Sequence, residues 1–289
     1  MKKAIIIGSR GQDGRYLQSL LEERSFEVIA VDRAVGSATS AINHFEEICA
    51  IIRLHQPAYI FHLAANSTTS HTAWQENHDT ISTGSLYVLE AIKLYSPDTK
   101  LFLSGSGLQF KNEGHPIKET DPFDAGSIYA VSRIHTVYAA RYYRSLGLKV
   151  YIGYFFNHDS PYRTERHINR KILSAVQRIA KGSAEKILVG DLSVQKEFGF
   201  AGDIVKAIMT LVEQDTVYEA VIGTGVAHSI EEWISICCTL YGLQWQEHVQ
   251  SNPGFRAEYK ILVADPHTIF SLGWEPLVGI HQLAKLMAQ

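Results

Sequence analysis

A glycine-rich loop near the amino terminus constrains the fold of this chain more strongly than any other feature of its sequence. The apolar, β-branched run Ala4–Ile7 stops at the segment Gly8–Gly14, whose glycines follow a G-x-x-G-x-x-G spacing. Apolar residues at helical spacing follow from Tyr16 to Glu23, so the loop joins a predicted buried strand to a predicted helix. Glycines permit a tight turn and let backbone N–H groups approach a pyrophosphate at the positive end of that helix. The predicted dinucleotide-binding residues of the loop are Gly8, Arg10, Gly11, Gln12, Asp13 and Gly14.

An acidic residue after the second predicted strand supports the same interpretation. The run Phe26–Val31 ends at Asp32, 24 residues beyond Gly8, where a carboxylate can hold the ribose hydroxyls of an adenosine. A carboxylate at this place repels a ribose phosphate and therefore favours NAD. Arg33 and Arg10 could instead neutralise that phosphate, which favours NADP. We predict NAD as the cofactor and keep NADP as the alternative.

Strands and helices alternate along the first half of the chain, a pattern typical of parallel βαβ units with helices on both faces of the sheet. We predict an α/β fold: a Rossmann-type doubly wound parallel sheet with a smaller carboxyl-terminal substrate-binding α/β region. The dinucleotide-binding part covers residues 1–157 and about 197–225, and the second part covers 158–196 and 226–289. The predicted strands are 4–7, 26–31, 59–63, 101–103 and 150–156, and the predicted helices are 16–23, 45–54, 84–94 and 127–146.

Composition excludes several classes of protein. With 46% hydrophobic residues and a formal net charge of −3, the 289-residue chain is neither mostly disordered nor suited to extended nucleic-acid binding. Its cysteines, Cys49, Cys237 and Cys238, cannot form a disulfide framework, and we expect the adjacent pair to pack in a core. The 13 histidines show no metal-ligand spacing, so no metal is predicted. The run Ala4–Ile7 is too short for a signal peptide or a membrane span, and we expect a cytoplasmic protein.

A second set of residues suits proton transfer. Tyr129 and Arg133 stand four apart at the start of the long predicted helix and therefore share one face of it. A cation beside a phenol stabilises the phenolate, and such a tyrosine can exchange a proton while a hydride moves at carbon. Ser106 follows the predicted strand 101–103, so its hydroxyl is expected at the carboxyl end of the sheet, facing the same cleft. We predict Ser106, Tyr129 and Arg133 as the catalytic residues.

Several longer motifs carry a family resemblance across nearly the whole chain. They are Gly8–Leu17, Leu63-Ala64-Ala65, Phe156–Pro161, Arg170-Lys171-Ile172, Phe255-Arg256, Ala264-Asp265-Pro266 and Leu272-Gly273-Trp274. On these residues the chain resembles the extended short-chain dehydrogenase/reductase family, and most closely its GDP-mannose 4,6-dehydratase branch of nucleotide-sugar enzymes. The resemblance implies that Leu63, Ala64 and Ala65 contact the cofactor, and that Tyr129 and Arg133 contact it as well.

Two departures from the family pattern bear on the reaction. The family has lysine where this chain has Arg133, which supplies the charge but cannot lose a proton. The dehydratases have Ser-Thr-Ser-Glu after the strand. Aligning that stretch puts Ser106 at the threonine and Leu108 at the glutamate, and a shift by two residues places only Gly105 or Gly107 there.

Elimination of water needs a base at one carbon and an acid at the leaving hydroxyl. The predicted site therefore lacks one of the two groups unless His71, Asn66 or a group from elsewhere substitutes. A keto-reductase or an epimerase needs only hydride transfer and one proton through Tyr129, and that subset is present.

The resemblance also implies a site for a nucleoside-diphosphate sugar. Carried over residue by residue, Asn157 would hydrogen-bond the diphosphate and Lys171 would approach the guanine or a phosphate. Lys196 stands at an arginine of the branch, and Arg256 matches the arginine of an Arg-Pro-x-Glu motif whose proline is absent here. Three cations converging on a diphosphate would suit its charge.

These observations predict an NAD(P)-dependent enzyme that reduces or epimerises a 4-keto sugar linked to a nucleoside diphosphate such as GDP. A dehydratase with a substituted acid and a cofactor-binding regulator without turnover remain as alternatives. We expect a homodimer or homotetramer formed through exposed helix faces, for example the stripe Tyr138, Tyr142 and Tyr143, which is equally typical of a core face. Neither nucleic acid nor membrane is expected as a partner.

Overall fold

The apolar runs of the sequence become the strands of a central sheet. The computed structural model describes residues 1–32, 41–252 and 254–289, so Arg33 lies outside the described residues. The strands are β1 (Lys3–Ile7), β2 (Glu27–Val31), β3 (Tyr59–His62), β4 (Lys100–Ser106), β5 (Lys149–Phe155), β6 (His158–Asp159), β7 (Ile187–Val189), β8 (Gln195–Glu197), β9 (Gly199–Phe200), β10 (Glu219–Ile222), β11 (Ala227–Ser229), β12 (Val249–Ser251) and β13 (Ile261–Leu262). Six of them form one parallel sheet in the order β2-β1-β3-β4-β5-β10.

Helices cover both faces of this sheet, as the alternation of elements predicts. They are α1 (Gln12–Glu23), α2 (Phe45–His55), α3 (Trp74–Asn77), α4 (Gly84–Tyr95), α5 (Ile128–Ser145), α6 (Ile168–Ala180), α7 (Ala201–Val212), α8 (Ile230–Thr239), α9 (His267–Ser271) and α10 (Ile280–Ala288). Side chains of β1 point alternately to the two faces: Ile5 and Ile7 join a core with α2, α4 and α5, whereas Ala4 and Ile6 join a core with α1 and α7. The predicted α/β class and the Rossmann-type parallel sheet are confirmed.

The polar stretch before α4 is also helical. Helices α3 and α4 are joined by the π-helical segment His78–Thr83, so one helical stretch runs from Trp74 to Tyr95. Wider turns of this kind are rare and often lie at functional sites. Here the Thr80 carbonyl accepts a hydrogen bond of 3.1 Å from Nε2 of His62 at the end of β3. Burial, together with the nearby Arg133, lowers the pKa of His62 to about 4, so its imidazole is neutral.

A second core lies beside the sheet and is built from α6, α8 and α10. Cys237 and Cys238 are fully buried in it, as predicted. Glu197, at the end of β8, connects this region to the sheet because its carboxylate accepts hydrogen bonds from the backbone of Ala264, Thr224 and Gly225. Helix α9 and the following turn pack against the central sheet instead, since Ile269 and Trp274 lie in the core with α1 and α7.

The sheet positions the site through its strand order. Strands β2 and β3 lie on opposite sides of β1, so the connections leave β1 and β3 in opposite directions and open a crevice at their carboxyl ends. Gly8 follows β1, and Leu63 follows β3, at this crevice. No helix in the described ranges is long and apolar enough to cross a membrane.

Candidate active site

The glycine loop forms a cradle whose shape leaves no room for larger side chains. Gly8 has a φ of +92°, and a Cβ built on it would lie 2.7 Å from the backbone nitrogen of Ala64. A Cβ on Gly14 would lie 2.4 Å from the carbonyl oxygen of Gly8. The backbone of the loop therefore packs closely against the segment that follows β3 and enters α1 without a covering side chain. This geometry fits a pyrophosphate held by backbone N–H groups at the start of a helix.

Asp32 lies at the other end of the loop, where the adenosine ribose is expected. It lines a cavity of about 210 Å³ together with Leu63, Ala64 and Ala65. The hydroxyl of Ser9 donates to its Oδ2, and the backbone N–H of Arg10 donates to Oδ1 at 3.3 Å. These two donors orient the carboxylate at the rim of the cavity. Nε of Arg10 is 3.9 Å from the same carboxylate on a largely exposed side chain.

A second cavity brings the predicted proton-transfer residues together. It has a volume of about 230 Å³, and its lining includes Gly8, Ser106, Tyr129 and Arg133. Tyr129 stands in the first turn of α5, which begins after Ser127, whose hydroxyl accepts from the N–H of Ala130 at 3.1 Å. The glycine loop and the tyrosine thus face one space at the carboxyl end of the sheet.

Ser106 differs slightly from the prediction, because β4 extends through it instead of ending at Leu103. Its hydroxyl oxygen accepts from the N–H of Leu108 at 3.2 Å, and its own N–H donates to Oε1 of Gln109 at 2.9 Å. These reciprocal bonds fix the serine at the start of a short helical turn. The hydroxyl proton can still be donated, since both bonds leave it unused.

Arg133 is anchored to the sheet. Its Nη1 donates to the carbonyl oxygen of Ser104 and, at 2.9 Å, to the Ser104 hydroxyl, which in turn donates to the carbonyl oxygen of His62. The guanidinium carbon lies 5.2 Å from the ring centroid of Tyr129. Its Nε is buried with no hydrogen-bond partner among the described residues. Arg133 therefore places a fixed positive charge beside the tyrosine and keeps one donor unsatisfied.

Leu108 stands where the family resemblance places the glutamate of the dehydratases. Leu108 lines the cavity of Tyr129. A Cβ on Gly105 would lie 2.6 Å from the Tyr154 ring, and one on Gly107 would lie 2.9 Å from the Phe156 ring, so neither neighbouring position admits a side chain without displacing a ring.

The two residues named from the sequence as possible replacements for the missing glutamate, Asn66 and His71, lie outside the cavity of Tyr129. Asn66 donates to the carboxylate of Glu76 at 2.9 Å, and His71 is exposed on a short helical turn. Neither residue lines the cavity of Tyr129.

A buried polar network joins the glycine loop to the Phe156–Pro161 motif. Nε2 of His158 donates to Asp13 at 2.9 Å, and Nδ1 donates to the carbonyl oxygen of Phe156 at 2.8 Å. Nε2 of Gln12 donates to the carbonyl oxygen of His158 at 3.2 Å, and the hydroxyl of Ser160 donates to Oε1 of Gln12 at 2.9 Å. The side chains of Gln12 and Asp13, predicted to contact the cofactor, are thus bonded to protein groups.

The charge state of Asp13 and His158 is set by two opposing effects, their burial and their mutual attraction. Burial disfavours charge on both groups, but their mutual attraction outweighs it, so the pKa of Asp13 is lowered and the pKa of His158 is raised. The pair is therefore ionised over a wide pH range. Sequence reasoning missed this contact because the two residues are far apart in the chain, although both stand inside motifs of the family.

We expect a favourable coupling energy between Asp13 and His158 that depends on pH. His158 stabilises the fold fully below its unfolded pKa of 6.5 and loses this effect as pH rises through its raised folded value. Asp13 stabilises above 3.8 and loses the effect as pH falls through its lowered value. A double-mutant cycle with Asp13→Asn and His158→Gln, read by urea unfolding, should give about 1–3 kcal/mol near pH 5.5.

The same cycle at alkaline pH, above the raised folded pKa of His158, should give a clearly smaller coupling, because the imidazole is then neutral in both states. His281→Gln, at an exposed histidine of α10, is the matched control and should leave both values unchanged. Equal coupling at the two pH values would show that the pair acts only through neutral hydrogen bonds.

A third cavity, of about 590 Å³, is lined by the cations that were predicted to bind the diphosphate of the nucleotide sugar. Its lining includes Lys171, Lys196 and Arg256, and Arg166 adds a fourth cation that the sequence did not indicate. Asn157, predicted to join them, instead lines the cavity of Tyr129, and its Oδ1 is buried with no hydrogen-bond partner among the described residues.

Lys196 is the buried member of this group. Only 6% of it is exposed, and its Nζ lies 5.5 Å from the ring centroid of Phe198. No ion pair to Lys196 occurs in the described part of the chain. Burial lowers its pKa to about 8, so at neutral pH it is a desolvated cation at the wall of an open cavity. Such a group gains strongly from a bound anion.

Comparison with known proteins agrees with the motifs and the geometry. The sequence model of the family described as GDP-mannose 4,6 dehydratase matches residues 37–287. The chain belongs to the GDP-mannose 4,6-dehydratase family. It is therefore an enzyme of the extended short-chain dehydrogenase/reductase type, as the motifs predicted. "GDP-mannose 4,6 dehydratase 1" of Arabidopsis thaliana is 30% identical over an alignment of 319 positions including gaps. The alignment covers 99% of this chain and 88% of that protein.

Solved structures show the same fold as this member of the GDP-mannose 4,6-dehydratase family. The UDP-glucose 4-epimerase of Thermus thermophilus, in complex with NAD, has a TM-score of 0.84 at 21% identity and covers 99% of this chain and 97% of its own. The protein RMD of Pseudomonas aeruginosa, complexed with NADPH, has a TM-score of 0.85 at 19% identity. The match covers 100% of this chain and 96% of that chain.

Proposed function

We propose that this enzyme transfers a hydride between NAD(P) and a 4-keto sugar linked to a nucleoside diphosphate such as GDP, reducing the sugar or epimerising it. The observation that carries this proposal is the composition of one cavity. The glycine loop, Ser106 and Tyr129 line it, and Leu108 lines it where the dehydratases of the family have glutamate. The groups for hydride transfer and one proton are thus assembled, whereas the acid for water elimination is replaced by a side chain that cannot transfer a proton.

Each of the three predicted catalytic residues has a separate role in this proposal. The Tyr129 hydroxyl donates the proton to the ketone oxygen, and the Ser106 hydroxyl hydrogen-bonds and orients the same oxygen. The charge of Arg133, 5.2 Å from the Tyr129 ring, stabilises the phenolate that remains. The unsatisfied Nε of Arg133 provides a donor for a ribose hydroxyl.

The cofactor proposal depends on the cradle around the loop. When bound, the nicotinamide supplies the hydride. Gly8 and Gly14 would leave the backbone open to the pyrophosphate, and Asp32 would face the adenosine ribose from the wall of its cavity. A carboxylate oriented by Ser9 and Arg10 suits two free ribose hydroxyls, which supports NAD, with NADP as the alternative.

The diphosphate of the substrate is proposed to bind among the cations of the third cavity. Lys171, Lys196 and Arg256 converge there from α6, β8 and the segment before β13. Asn157 would then contact the sugar side, in the cavity of Tyr129, and not the diphosphate. Residues 1–157 and about 197–225 would hold the cofactor, and residues 158–196 and 226–289 the nucleotide sugar.

A homodimer or homotetramer is proposed as the assembled form. Of the tyrosine stripe on α5, Tyr143 is buried and donates to Glu90 at 2.7 Å, whereas Tyr138 and Tyr142 remain exposed. The stripe is thus part core face and part surface, and the exposed pair supports contact with a second copy.

A redox assay tests the function. The purified chain is mixed with NADH or NADPH and a GDP-linked 4-keto-6-deoxyhexose, and the absorbance of the reduced nicotinamide is followed. Loss of absorbance with formation of the corresponding alcohol supports the proposal. Conversion of GDP-mannose to a 4-keto-6-deoxy product would identify a dehydratase with a substituted acid. Bound cofactor that never changes redox state would identify a regulator.

Arg133→Lys should preserve or raise kcat, because lysine supplies the same charge to Tyr129. Arg133→Met, which keeps a long side chain without the charge, should lower kcat by about 100-fold. Steady-state kinetics with the keto sugar measure both values. A collapse of kcat in Arg133→Lys would show that the guanidinium bonds to Ser104 are themselves required.

A further inference from the structure

Arg133 is a buried cation that is held by neutral oxygen atoms of the sheet. Only 6% of it is exposed, and no ion pair to it occurs among the residues that the structure describes. Its Nη1 donates to two oxygen atoms of Ser104, the carbonyl oxygen and, at 2.9 Å, the hydroxyl. A buried guanidinium without a carboxylate beside it depends on such acceptors for its orientation. The side chain of Ser104 therefore helps to set where the charge of Arg133 lies.

The hydroxyl of Ser104 is itself fixed in one orientation. Ser104 is buried, and its hydroxyl donates to the carbonyl oxygen of His62 at 3.2 Å. A hydroxyl has a single proton to donate, so that proton is committed to β3 and a lone pair is left for Arg133. His62 is also buried, and its ring is bonded to the carbonyl oxygen of Thr80. The hydroxyl is thus a rigid acceptor, because its own partner is held in place.

The place of this hydroxyl matches the length of an arginine and not that of a lysine. Along an extended side chain, Nζ of lysine stands at the place of Cζ of arginine, one bond short of Nη1. A lysine at position 133 would keep its charge near the Tyr129 ring, because Cζ lies 5.2 Å from the ring centroid. Its amine would end beyond hydrogen-bond distance of the Ser104 hydroxyl, which Nη1 reaches at 2.9 Å. The side chain of Ser104 therefore serves the arginine alone.

We propose that Ser104 is a positioning residue of this site, whose hydroxyl holds the guanidinium of Arg133 in the orientation that the cofactor ribose and the Tyr129 phenol require. With Nη1 tied to the sheet, the plane of the guanidinium is fixed, and so is the direction of Nε, which is buried without a partner among the described residues. The inference rests on the proposed function, because it takes the two roles of Arg133 from it. Ser104 acts through Arg133, and the backbone carbonyl of Ser104 remains as a second acceptor in every variant.

Cofactor binding tests this role without a sugar substrate. NADH and NADPH are titrated separately, and the fluorescence of the reduced nicotinamide gives each dissociation constant. Ser104→Ala should weaken binding of the preferred cofactor by about 10-fold, the value of one hydrogen bond to a charged group. In the Arg133→Lys background the same change should have an effect of less than about 2-fold, because a lysine does not reach the hydroxyl. Ser174→Ala, at a buried serine of α6, is the matched control and should leave binding unchanged.

Turnover of a GDP-linked 4-keto-6-deoxyhexose gives the second readout. Ser104→Ala should lower kcat by about 10-fold, because the charge beside Tyr129 is then held by the backbone carbonyl alone. The same change in the Arg133→Lys background should again alter kcat by less than about 2-fold. Ser104→Cys, whose thiol is only a weak acceptor, provides a second variant should alanine fail to fold. Arg133→Met provides a second background for the binding measurement.

The two readouts separate this inference from the proposed function. Binding that follows the expected pattern without turnover in the unmodified enzyme would overturn the proposed function and leave the role of Ser104 standing. Equal losses from Ser104→Ala in the arginine and lysine backgrounds would overturn the role of Ser104, since the serine would then act independently of Arg133. Full binding and turnover in Ser104→Ala would overturn it as well, because the backbone carbonyl alone would then hold the guanidinium. Absence of both binding and turnover in the unmodified enzyme would overturn both proposals.

Discussion

We expect Tyr129→Phe to lower kcat for the keto sugar by about 1,000-fold and to leave the dissociation constant of the cofactor nearly unchanged. The phenol is proposed as the group that gives the ketone its proton, and phenylalanine fills the same space without that hydroxyl. Tyr129 is buried in the wall of the cavity beside Arg133, so the shape of the site is retained. Steady-state kinetics give kcat, and titration of the reduced nicotinamide by its fluorescence gives the dissociation constant.

Tyr138→Phe is the matched control for this change. Tyr138 lies on the same helix and is 60% exposed, away from the cavity, so its variant should keep full activity. Activity that survives in Tyr129→Phe would show that another group protonates the ketone, and the assignment of the site would then be wrong.

We expect Lys196→Met to weaken binding of GDP by about 100-fold and at the same time to stabilise the protein. The ionised amine would be buried against the diphosphate, so its loss removes a charge-assisted hydrogen bond. Without a ligand the same buried charge is unfavourable. A pKa lowered from 10.5 to about 8 corresponds to a penalty of about 3 kcal/mol at neutral pH. Calorimetric titration with GDP and urea unfolding measure the two effects.

The pH dependence of stability gives a further test of Lys196→Met. Between pH 8 and 10.5 the unfolded state binds more protons at Lys196 than the folded state, so the free energy of unfolding rises with pH across this range. The variant should lack this rise. Lys171→Met, at an exposed lysine of the same cavity, should weaken GDP binding without stabilising the fold. A loss of stability in Lys196→Met would show that the amine is satisfied in the folded protein.

Much of the fold could be predicted because its signals are local. The apolar run that stops at Gly8 and the helical spacing after it predict β1 and α1, and the structure adds only that α1 begins at Gln12. The helix over Trp74–Thr83 could not be predicted in this way. Its residues are mostly polar, and its π-helical turns are held by tertiary contacts such as the bond from His62 to Thr80.

The site was predictable where a motif is continuous and unpredictable where distant segments meet. Tyr129 and Arg133 were identified from one helical turn, but the anchoring of Arg133 depends on Ser104, which comes from a neighbouring strand. Asn157 lines the cavity of Tyr129 because it follows β5, the strand that pairs with β4 beside Ser106.

The bond between Asp13 and His158 also limits how this chain can exchange segments with its relatives. A chimera that takes its first helix from a protein with a different residue at position 13 leaves His158 buried without its counter-charge. Breaking a buried pair in this way costs about 3–5 kcal/mol, a large part of the stability of a folded domain. The glycine loop and the Phe156–Pro161 motif must therefore be inherited together. Recombination between them requires that both parents carry the pair Asp13 and His158.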